Sequence, residues 1–447
     1  MRVHCTAARR RSHAPGARFH RMAAAPRFQL RCERHTLSNG LRVVIHRDPA
    51  LPLVAVSLWY HVGSKNERPG RTGFAHLFEH MLFQGSAHVA ANDHFRLVQQ
   101  VGGVANGSTW YDRTSYYETL PAEHLDLGLW LESDRMGWLL PAMTEDKLAN
   151  QREVVLNERR QRVDNRPYGR AFERLHELLY PSGHPYHWPV IGYPDDIAAA
   201  ALDDVVEFFA TYYPPNNAVL TLAGDLSPDL ALERVELWFG SIPRGPEPPP
   251  VTAAPPPGGE RREVLEDAVE LARVYLAYPT PRYGEPGWYA GDLLAAVLAG
   301  GKSSVLWEDL VYRRQIAQEV GCYLFPTELT GTFYLVVTAR PETSPEELLA
   351  AVDAHLDRCA AEALAEEHLD RARNGMLTAF FAEAERLDGR ADLLARATTY
   401  FDDPARAAAE PDRYRELTAE DLRRFAAECC RRDRRAVVTV VPRRGPA

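Results

Sequence analysis

Residues 73–86 have the sequence GFAHLFEHMLFQGS. Its apolar residues recur at the spacing of an α-helix with one buried face. On such a helix His76 and His80 lie one turn apart and about 40° apart around the axis, so both imidazoles can reach one ion. Glu79 lies on the same side, within reach of a water on that ion. The stretch predicts a helix with a metal site, although a histidine pair at this spacing also arises by chance on the polar edge of a packed helix.

The pattern H-x-x-E-H is one of the known zinc motifs. Imidazole nitrogen suits Zn²⁺, and a zinc ion that keeps a reactive water takes three protein ligands. A charged glutamate among the apolar residues of this helix would be costly to bury without a compensating cation. The motif therefore requires a third ligand, and the predicted helix at residues 145–163 offers Glu153 and Glu158. Spacing alone does not choose between these two carboxylates.

Strands and helices are mixed along the first half of the chain, which predicts an α/β or α+β fold. Segments rich in β-branched and aromatic residues predict strands, and segments with helical periodicity predict helices. Besides residues 73–86, the predicted helices are residues 94–103, 124–140, 145–163 and 203–213, and the predicted strands are residues 41–48, 53–64, 107–121 (as a strand pair) and 217–225.

Eight prolines between residues 243 and 257 predict a semi-rigid, extended linker. The order of elements then repeats, with strands predicted at residues 272–279, 332–341 and 436–441 and helices at residues 291–311 and between Cys359 and Tyr400. The second half is expected to keep the shape of the first without its metal ligands. The predicted units are a disordered Arg-rich tail (1–33), a metal-bearing domain (34–240), the linker (241–262), a second domain of similar fold (263–442) and a short tail (443–447).

The sequence resembles the pitrilysin/insulinase family of zinc metallopeptidases, in particular its bacterial and mitochondrial processing-peptidase-like branch. In that family an H-x-x-E-H helix is followed by a glutamate in a V-V-x-x-E context, which residues 154–158 match here. The segments GGVANGSTWYDRTSYY, YYPPNNAVLTLAGD and LAGGKSSVLWEDLV also resemble family segments. The resemblance covers about residues 34–442 and implies an α+β fold. Two homologous α/β-roll halves, each a mixed, mostly antiparallel sheet packed against helices, would form a clamshell.

The resemblance also implies a zinc site. His76, His80 and Glu158 would hold one Zn²⁺ per chain, with Glu158 standing 78 residues after His80. Glu79 would act as the general base that takes a proton from water. Gln151 stands seven residues before Glu158, where the family often carries a second glutamate that supports the site.

A third implication of the resemblance concerns the substrate. Asn106, Gly107 and Ser108 lie on the segment similar to the family's edge strand, where they would offer backbone groups to an extended peptide. The implied function is a zinc-dependent metalloendopeptidase that hydrolyses unstructured peptides. The alternative is a non-catalytic core, assembly or peptide-binding subunit of the same fold.

The second half departs from the family at two positions. Family members usually supply an arginine and a tyrosine seven residues apart to hold the substrate carbonyl, and the corresponding residues here are Val311 and Gln318. We therefore expect a heterodimer with a related zinc-free subunit that brings these two side chains, with a homodimer as the alternative.

Composition excludes several other classes. The formal charge of −9 argues against nucleic acid as a partner, and no apolar run approaches the length of about 18 residues that spans a bilayer. Six scattered cysteines favour a reducing compartment. We expect a cytoplasmic protein, or one of the periplasm or mitochondrial matrix if the eight arginines of residues 1–31 belong to a targeting segment. His184 and His187 are predicted to be loop histidines and not a second metal site.

Overall fold

The computed structural model describes residues 28–443 of the chain. Its strands are β1 (Glu33–Thr36), β2 (Arg42–Arg47), β3 (Leu53–Tyr60), β4 (Val104–Thr109), β5 (Thr114–Pro121), β6 (Ala218–Gly224), β7 (Arg261–Asp267), β8 (Arg273–Thr280), β9 (Ala317–Leu324), β10 (Gly331–Ala339) and β11 (Ala436–Pro442). Its α-helices are α1 (Phe74–Met81), α2 (Asp93–Gln100), α3 (Leu125–Trp138), α4 (Glu145–Arg159), α5 (Ala171–Leu179), α6 (Pro194–Ala198), α7 (Leu202–Tyr212), α8 (Pro228–Phe239), α9 (Pro286–Ala299), α10 (Pro345–Ala361), α11 (Glu366–Glu385), α12 (Leu387–Phe401), α13 (Arg406–Glu416) and α14 (Ala419–Cys429). None of these helices combines the length and the apolar character needed to span a bilayer.

The strands form two sheets that share a five-stranded topology, and β1 is an additional edge strand of the first sheet. The first has the order β1-β2-β6-β3-β5-β4 and the second has the order β7-β11-β8-β10-β9. In the first sheet β2 and β6 are parallel and all other pairs are antiparallel. In the second sheet β7 and β11 are the parallel pair. This repetition confirms the prediction of two α/β halves with mixed, mostly antiparallel sheets.

The central strands of the first sheet are buried on both faces, which explains their near-continuous apolar sequences. On the inner face, side chains such as Val56, Leu58 and Leu222 belong to one core with the apolar residues of α1, α3 and α8. On the outer face, Trp59 and Val219 pack against Leu393 and Leu394 of α12, which belongs to the second half.

A helix of the first half packs on the outer face of the second sheet. α5 of the first half packs across β8 and β11, where Leu175 and Leu179 join Ala277 and Val438 in one buried cluster. The other face of this sheet packs against α9, α10 and α14 of its own half. Each half thus contributes one helix to the outer face of the other half's sheet, which we call the helix exchange.

Two predicted boundaries need correction. Residues 1–27 of the predicted tail lie outside the described range, but Phe28 packs against Phe380 and Phe381 with ring centroids 5.6 Å apart in both pairs, and Leu30 is buried. The packed chain therefore extends at least six residues before the predicted start at residue 34. At the end of the linker, β7 begins at Arg261 because its backbone pairs with β11. The predicted C-terminal tail, residues 443–447, lies outside the described residues except for Arg443.

The predicted helix at residues 291–311 is also interrupted. α9 ends at Ala299, and the two glycines that follow include Gly301 with φ = 92°, a conformation that favours glycine. A short π-helical turn, Trp307–Arg313, precedes β9. The predicted strands do not include β1, β7 or β9.

Candidate metal centre

The metal-motif helix α1 begins at a fixed position. Gly73 adopts the left-handed conformation at the N-cap (φ = 83°), and a Cβ there would lie 2.7 Å from the Ile191 carbonyl oxygen. The half-buried carboxylate of Glu67 accepts hydrogen bonds from the N–H groups of Gly73 and Ala75, both at 2.8 Å. This carboxylate satisfies donors that the first helical turn leaves free.

The structure brings His76, His80 and Glu158 together. Helix α4 packs beside α1, and Oε2 of Glu158 lies 3.7 Å from Nε2 of His76 and 3.2 Å from Nε2 of His80. The ligand atoms of a tetrahedral zinc ion with bonds of about 2.0–2.1 Å are separated by roughly 3.3 Å. The three donor atoms are of types that bind zinc, and the two distances from Glu158 are close to this separation. Glu153, the other candidate, is exposed on α4 and does not join the cluster.

Electrostatics suits these side chains to metal binding. Burial lowers the pKa of His76 to about 4, with a further contribution from His80, so its imidazole is neutral and keeps a free lone pair at neutral pH. The hydrogen bond with His80 lowers the pKa of Glu158, which keeps it ionised. The other carboxylate oxygen of Glu158 lies 2.6 Å from Nη1 of Arg162, which orients the side chain. Sequence reasoning did not identify Arg162.

The carboxylate of Glu79 contacts strand β4. Its Oε2 accepts a hydrogen bond of 2.6 Å from the Thr109 hydroxyl, and burial raises its pKa. A raised pKa brings a carboxylate closer to the range in which it can accept and return a proton. Gly107 makes room for this side chain, since a Cβ at residue 107 would lie 3.2 Å from Cγ of Glu79 and 3.1 Å from Phe83.

Strand β4 lies at the free edge of the first sheet. Trp110 N–H donates to the Arg113 carbonyl at the hairpin turn, and hydrogen-bonded pairs alternate from there along β4 and β5. The backbone groups of Asn106 and Ser108 therefore point toward β5. Of the three predicted substrate-binding residues only Gly107 points outward, and its N–H is bonded at 2.9 Å to the Asn106 side chain. The outward positions that sequence reasoning missed are Ala105 and Thr109.

The contact between Gly107 and Glu79 gives a direct prediction. Gly107→Ala is expected to displace Glu79 by a few tenths of an ångström and to lower the turnover of a peptide substrate about 10-fold, because catalysis depends steeply on position. Zinc content should not change, because residue 107 does not contact the three donors.

Steady-state kinetics and metal analysis of the purified variant would check this. The matched control is Gly321→Ala on β9, where the nearest atom to an added Cβ is 3.8 Å away. Equal turnover in both variants would contradict the assigned contact.

A second group of candidate ligands lies beside this site, between α2, β5 and α3. His94, Glu118 and Glu132 are buried and their side-chain atoms lie within 4.8 Å of one another. Arg135 already binds Glu132, with Nε 2.8 Å from Oε2, and stacks over Tyr116 at 4.0 Å. The guanidinium takes the place that a cation would occupy, so we interpret this group as a structural ionic network.

The network makes stability depend on pH. Burial raises the pKa of Glu118 to about 7, so the folded state holds this proton more tightly than the unfolded state does. This contribution is fully present below the unfolded pKa of about 4.3 and is lost as pH rises through about 7. Glu118→Gln removes it. When the pH is raised from 4.5 to 8, the free energy of unfolding of the variant should therefore rise relative to that of the wild type by on the order of 3 kcal/mol.

Urea unfolding at the two pH values would measure the gain. Glu123→Gln, at a nearby glutamate with 82% of its side chain exposed, should show none. A constant difference between Glu118→Gln and wild type across this range would be inconsistent with a raised pKa.

The remaining predicted residues lie elsewhere. Gln151 is buried on α4, two turns before Glu158. Val311 is buried in the π-helical turn, and Gln318 is exposed on β9.

His184 and His187, predicted as loop histidines, both lie in turns after α5. Nδ1 of His184 accepts a hydrogen bond of 3.0 Å from the Tyr186 N–H, and Nδ1 of His187 lies 2.8 Å from the Tyr180 carbonyl oxygen. Neither belongs to a group of candidate metal ligands in residues 28–443.

The chain matches two family profiles and several proteins of known family. The family profile described as Insulinase (Peptidase family M16) matches residues 42–186, and the profile described as Peptidase M16 inactive domain matches residues 200–376. Zinc protease PqqE of Helicobacter pylori is 30% identical over 385 residues, which are 85% of each chain. The chain belongs to peptidase family M16. The uncharacterized zinc protease YmxG of Bacillus subtilis is 27% identical over 67% of this chain and 71% of its own.

Solved structures of M16 relatives have the same fold. The crystal structure of a protease from Helicobacter pylori superposes with a TM-score of 0.87 at 30% identity, covering 92% of this chain and 99% of its own. An M16 inactive-domain structure from Pseudomonas fluorescens superposes with a TM-score of 0.83 at 20% identity, covering 94% and 99%. These neighbours confirm the predicted two-half fold, and the named relatives confirm the predicted family.

Proposed function

We propose that this M16 protein is a zinc-dependent metalloendopeptidase that hydrolyses unstructured peptides. The proposal rests on the convergence of two imidazole nitrogens and one carboxylate oxygen next to a half-buried glutamate. His76, His80 and Glu158 would hold one Zn²⁺, and Glu79 stands between them and the edge strand β4. The names of the relatives as zinc proteases support the choice of metal.

The residues of the chain have distinct parts in the proposed reaction. When bound, zinc lowers the pKa of a water toward 7 and polarises the substrate carbonyl. Glu79 would take the proton of that water and return it to the leaving amine, while Thr109 holds the carboxylate in place. A substrate peptide would extend the first sheet along the outward groups of Ala105, Gly107 and Thr109, in place of the Asn106 side chain. This mode requires an extended, unfolded substrate.

The experiment that tests the proposal measures zinc content and peptide cleavage on the purified chain. One zinc per chain and cleavage of an unstructured peptide, both abolished by a chelator and restored by zinc, are the expected results. A zinc-free chain that binds peptide without cleaving it would favour the alternative, a peptide-binding or assembly subunit. The cytoplasmic localisation stays a prediction.

A partner subunit is part of the proposal. The two corresponding residues are the buried Val311 and the exposed Gln318. Neither side chain can replace the carbonyl-binding arginine or tyrosine of other family members. We propose that a related zinc-free chain supplies them. Donors to a developing oxyanion are worth about 10²–10³-fold in turnover.

Mixing the purified chain with such a partner should raise turnover about 10²-fold over the chain alone. Gel filtration of the same mixture should show the heterodimer. Full activity from the chain alone, at a concentration where it is monomeric, would disprove the need for a partner.

A further inference from the structure

The loop between β9 and β10 inserts into the first half. Glu328 on this loop accepts a hydrogen bond of 2.7 Å from Nε2 of His61 and forms an ion pair with the Lys65 ammonium group. Its backbone N–H lies 3.2 Å from Oδ2 of Asp112 and 3.1 Å from the Tyr186 hydroxyl. Four residues of the first half therefore surround one residue of the second half.

The charged side chains in these contacts are largely shielded from solvent. The side chain of Lys65 is 7% exposed, that of Asp112 is fully buried and that of Glu328 is 21% exposed. Lys65 also lies 3.3 Å from Oδ1 of Asp112, so it stands between one carboxylate of each half. Removing one member of a buried ion pair leaves its partner uncompensated, which costs more than the loss of an exposed pair.

Two segments position the candidate metal centre, and both contain residues that contact Glu328. Asp112 lies in the hairpin turn that ends β4, and the backbone N–H of Lys65 donates to the Tyr111 carbonyl at 2.9 Å in the same turn. β4 in turn holds Glu79 through Thr109. On the other side, the segment after Lys65 leads directly to Glu67, which caps α1. Glu328 thus contacts the two segments that set the distance between α1 and β4.

We infer that Glu328 is a positioning residue, through which the second half holds the hairpin of β4 and β5 in register with α1. The inference rests on the proposed function in one respect, namely that a substrate peptide adds to β4. It assigns to the second half a part in peptide binding that does not require the missing arginine and tyrosine.

Glu328→Gln tests the inference, because it keeps the size of the side chain and the backbone contacts but removes the charge that faces Lys65. Amide hydrogen exchange should become about 10-fold faster in residues 104–113 and stay unchanged in α9 and α12, since local openings have their own free energies. In a non-hydrolysing Glu79→Gln background, the dissociation constant for an unstructured fluorescent peptide should rise about 10-fold. Zinc content should stay at the wild-type value.

Two further variants sharpen the test. His61→Phe removes a single contact of the Glu328 carboxylate, and about 3-fold faster exchange in the same residues is expected. Glu362→Gln, at an exposed glutamate that ends α10, is the matched control and should behave as wild type.

The outcomes separate the inference from the proposed function. Unchanged exchange in residues 104–113, uniformly faster exchange throughout, or unchanged peptide affinity would each overturn the positioning role. If the wild-type chain binds neither zinc nor peptide, the proposed function fails, and the exchange pattern alone still decides whether Glu328 holds the hairpin.

Discussion

Glu79→Gln is expected to lower peptide hydrolysis about 10³-fold or more while the chain keeps its zinc. The amide cannot take a proton from water, and general-base catalysis by a positioned side chain contributes about 10²–10⁴-fold. The glutamine can still accept the hydrogen bond from Thr109, so the local structure should persist. Single-turnover kinetics and metal analysis of the same preparation would measure both quantities.

His80→Ala provides the comparison, because it removes a donor atom and should lose zinc and hydrolysis together. A Glu79→Gln protein without zinc would show that Glu79 helps to hold the metal, and the assignment of its role would then be wrong. A Glu79→Gln protein with zinc and near wild-type turnover would remove Glu79 from the reaction altogether.

Glu158→Gln is expected to lower zinc affinity by at least about 100-fold. Mutation of a residue that only hydrogen-bonds to a metal ligand already lowers affinity 10–100-fold. Its carboxylate is the only charged donor of the three, and its Oε2 lies 3.2 Å from His80. An amide oxygen carries no charge to match the cation. Competition with a fluorescent zinc chelator would give the affinities of variant and wild type.

Glu153→Gln is the matched control, because it makes the same change on the same helix at an exposed position. It should bind zinc as the wild type does. Loss of zinc in Glu153→Gln with retention in Glu158→Gln would require α4 to be rotated from the orientation described here.

Local features of the site could be predicted from the sequence. The helix with His76, Glu79 and His80 follows from apolar periodicity and from side-chain spacing within one turn, both of which are short-range properties. The choice between Glu153 and Glu158 does not follow from periodicity, because it depends on which face of α4 packs against α1. Only the family resemblance indicated Glu158 before the structure placed it.

Long-range features could not be predicted in this way. Strand β7 alternates exposed and half-buried residues and contains four charged side chains before its last residue, so its sequence does not resemble that of the central strands. The outward direction of Gly107 depends on hydrogen bonds that begin at the hairpin turn, since a shift of one residue would reverse it. The contacts of Glu328 join residues more than 140 positions apart, for which a single sequence gives no spacing.

The helix exchange explains why a half without metal ligands cannot be dispensed with. A fragment that ends in the proline-rich linker would lack α12, and Trp59 and Val219 on the outer face of its sheet would be open to water. The complementary fragment would lack α5 and would expose Ala277 and Val438. Each fragment alone would carry an adhesive apolar surface prone to aggregation, whereas the two expressed together in one cell could restore each other. We therefore expect each half to need the other in order to stay soluble, although only one of them carries the candidate metal ligands.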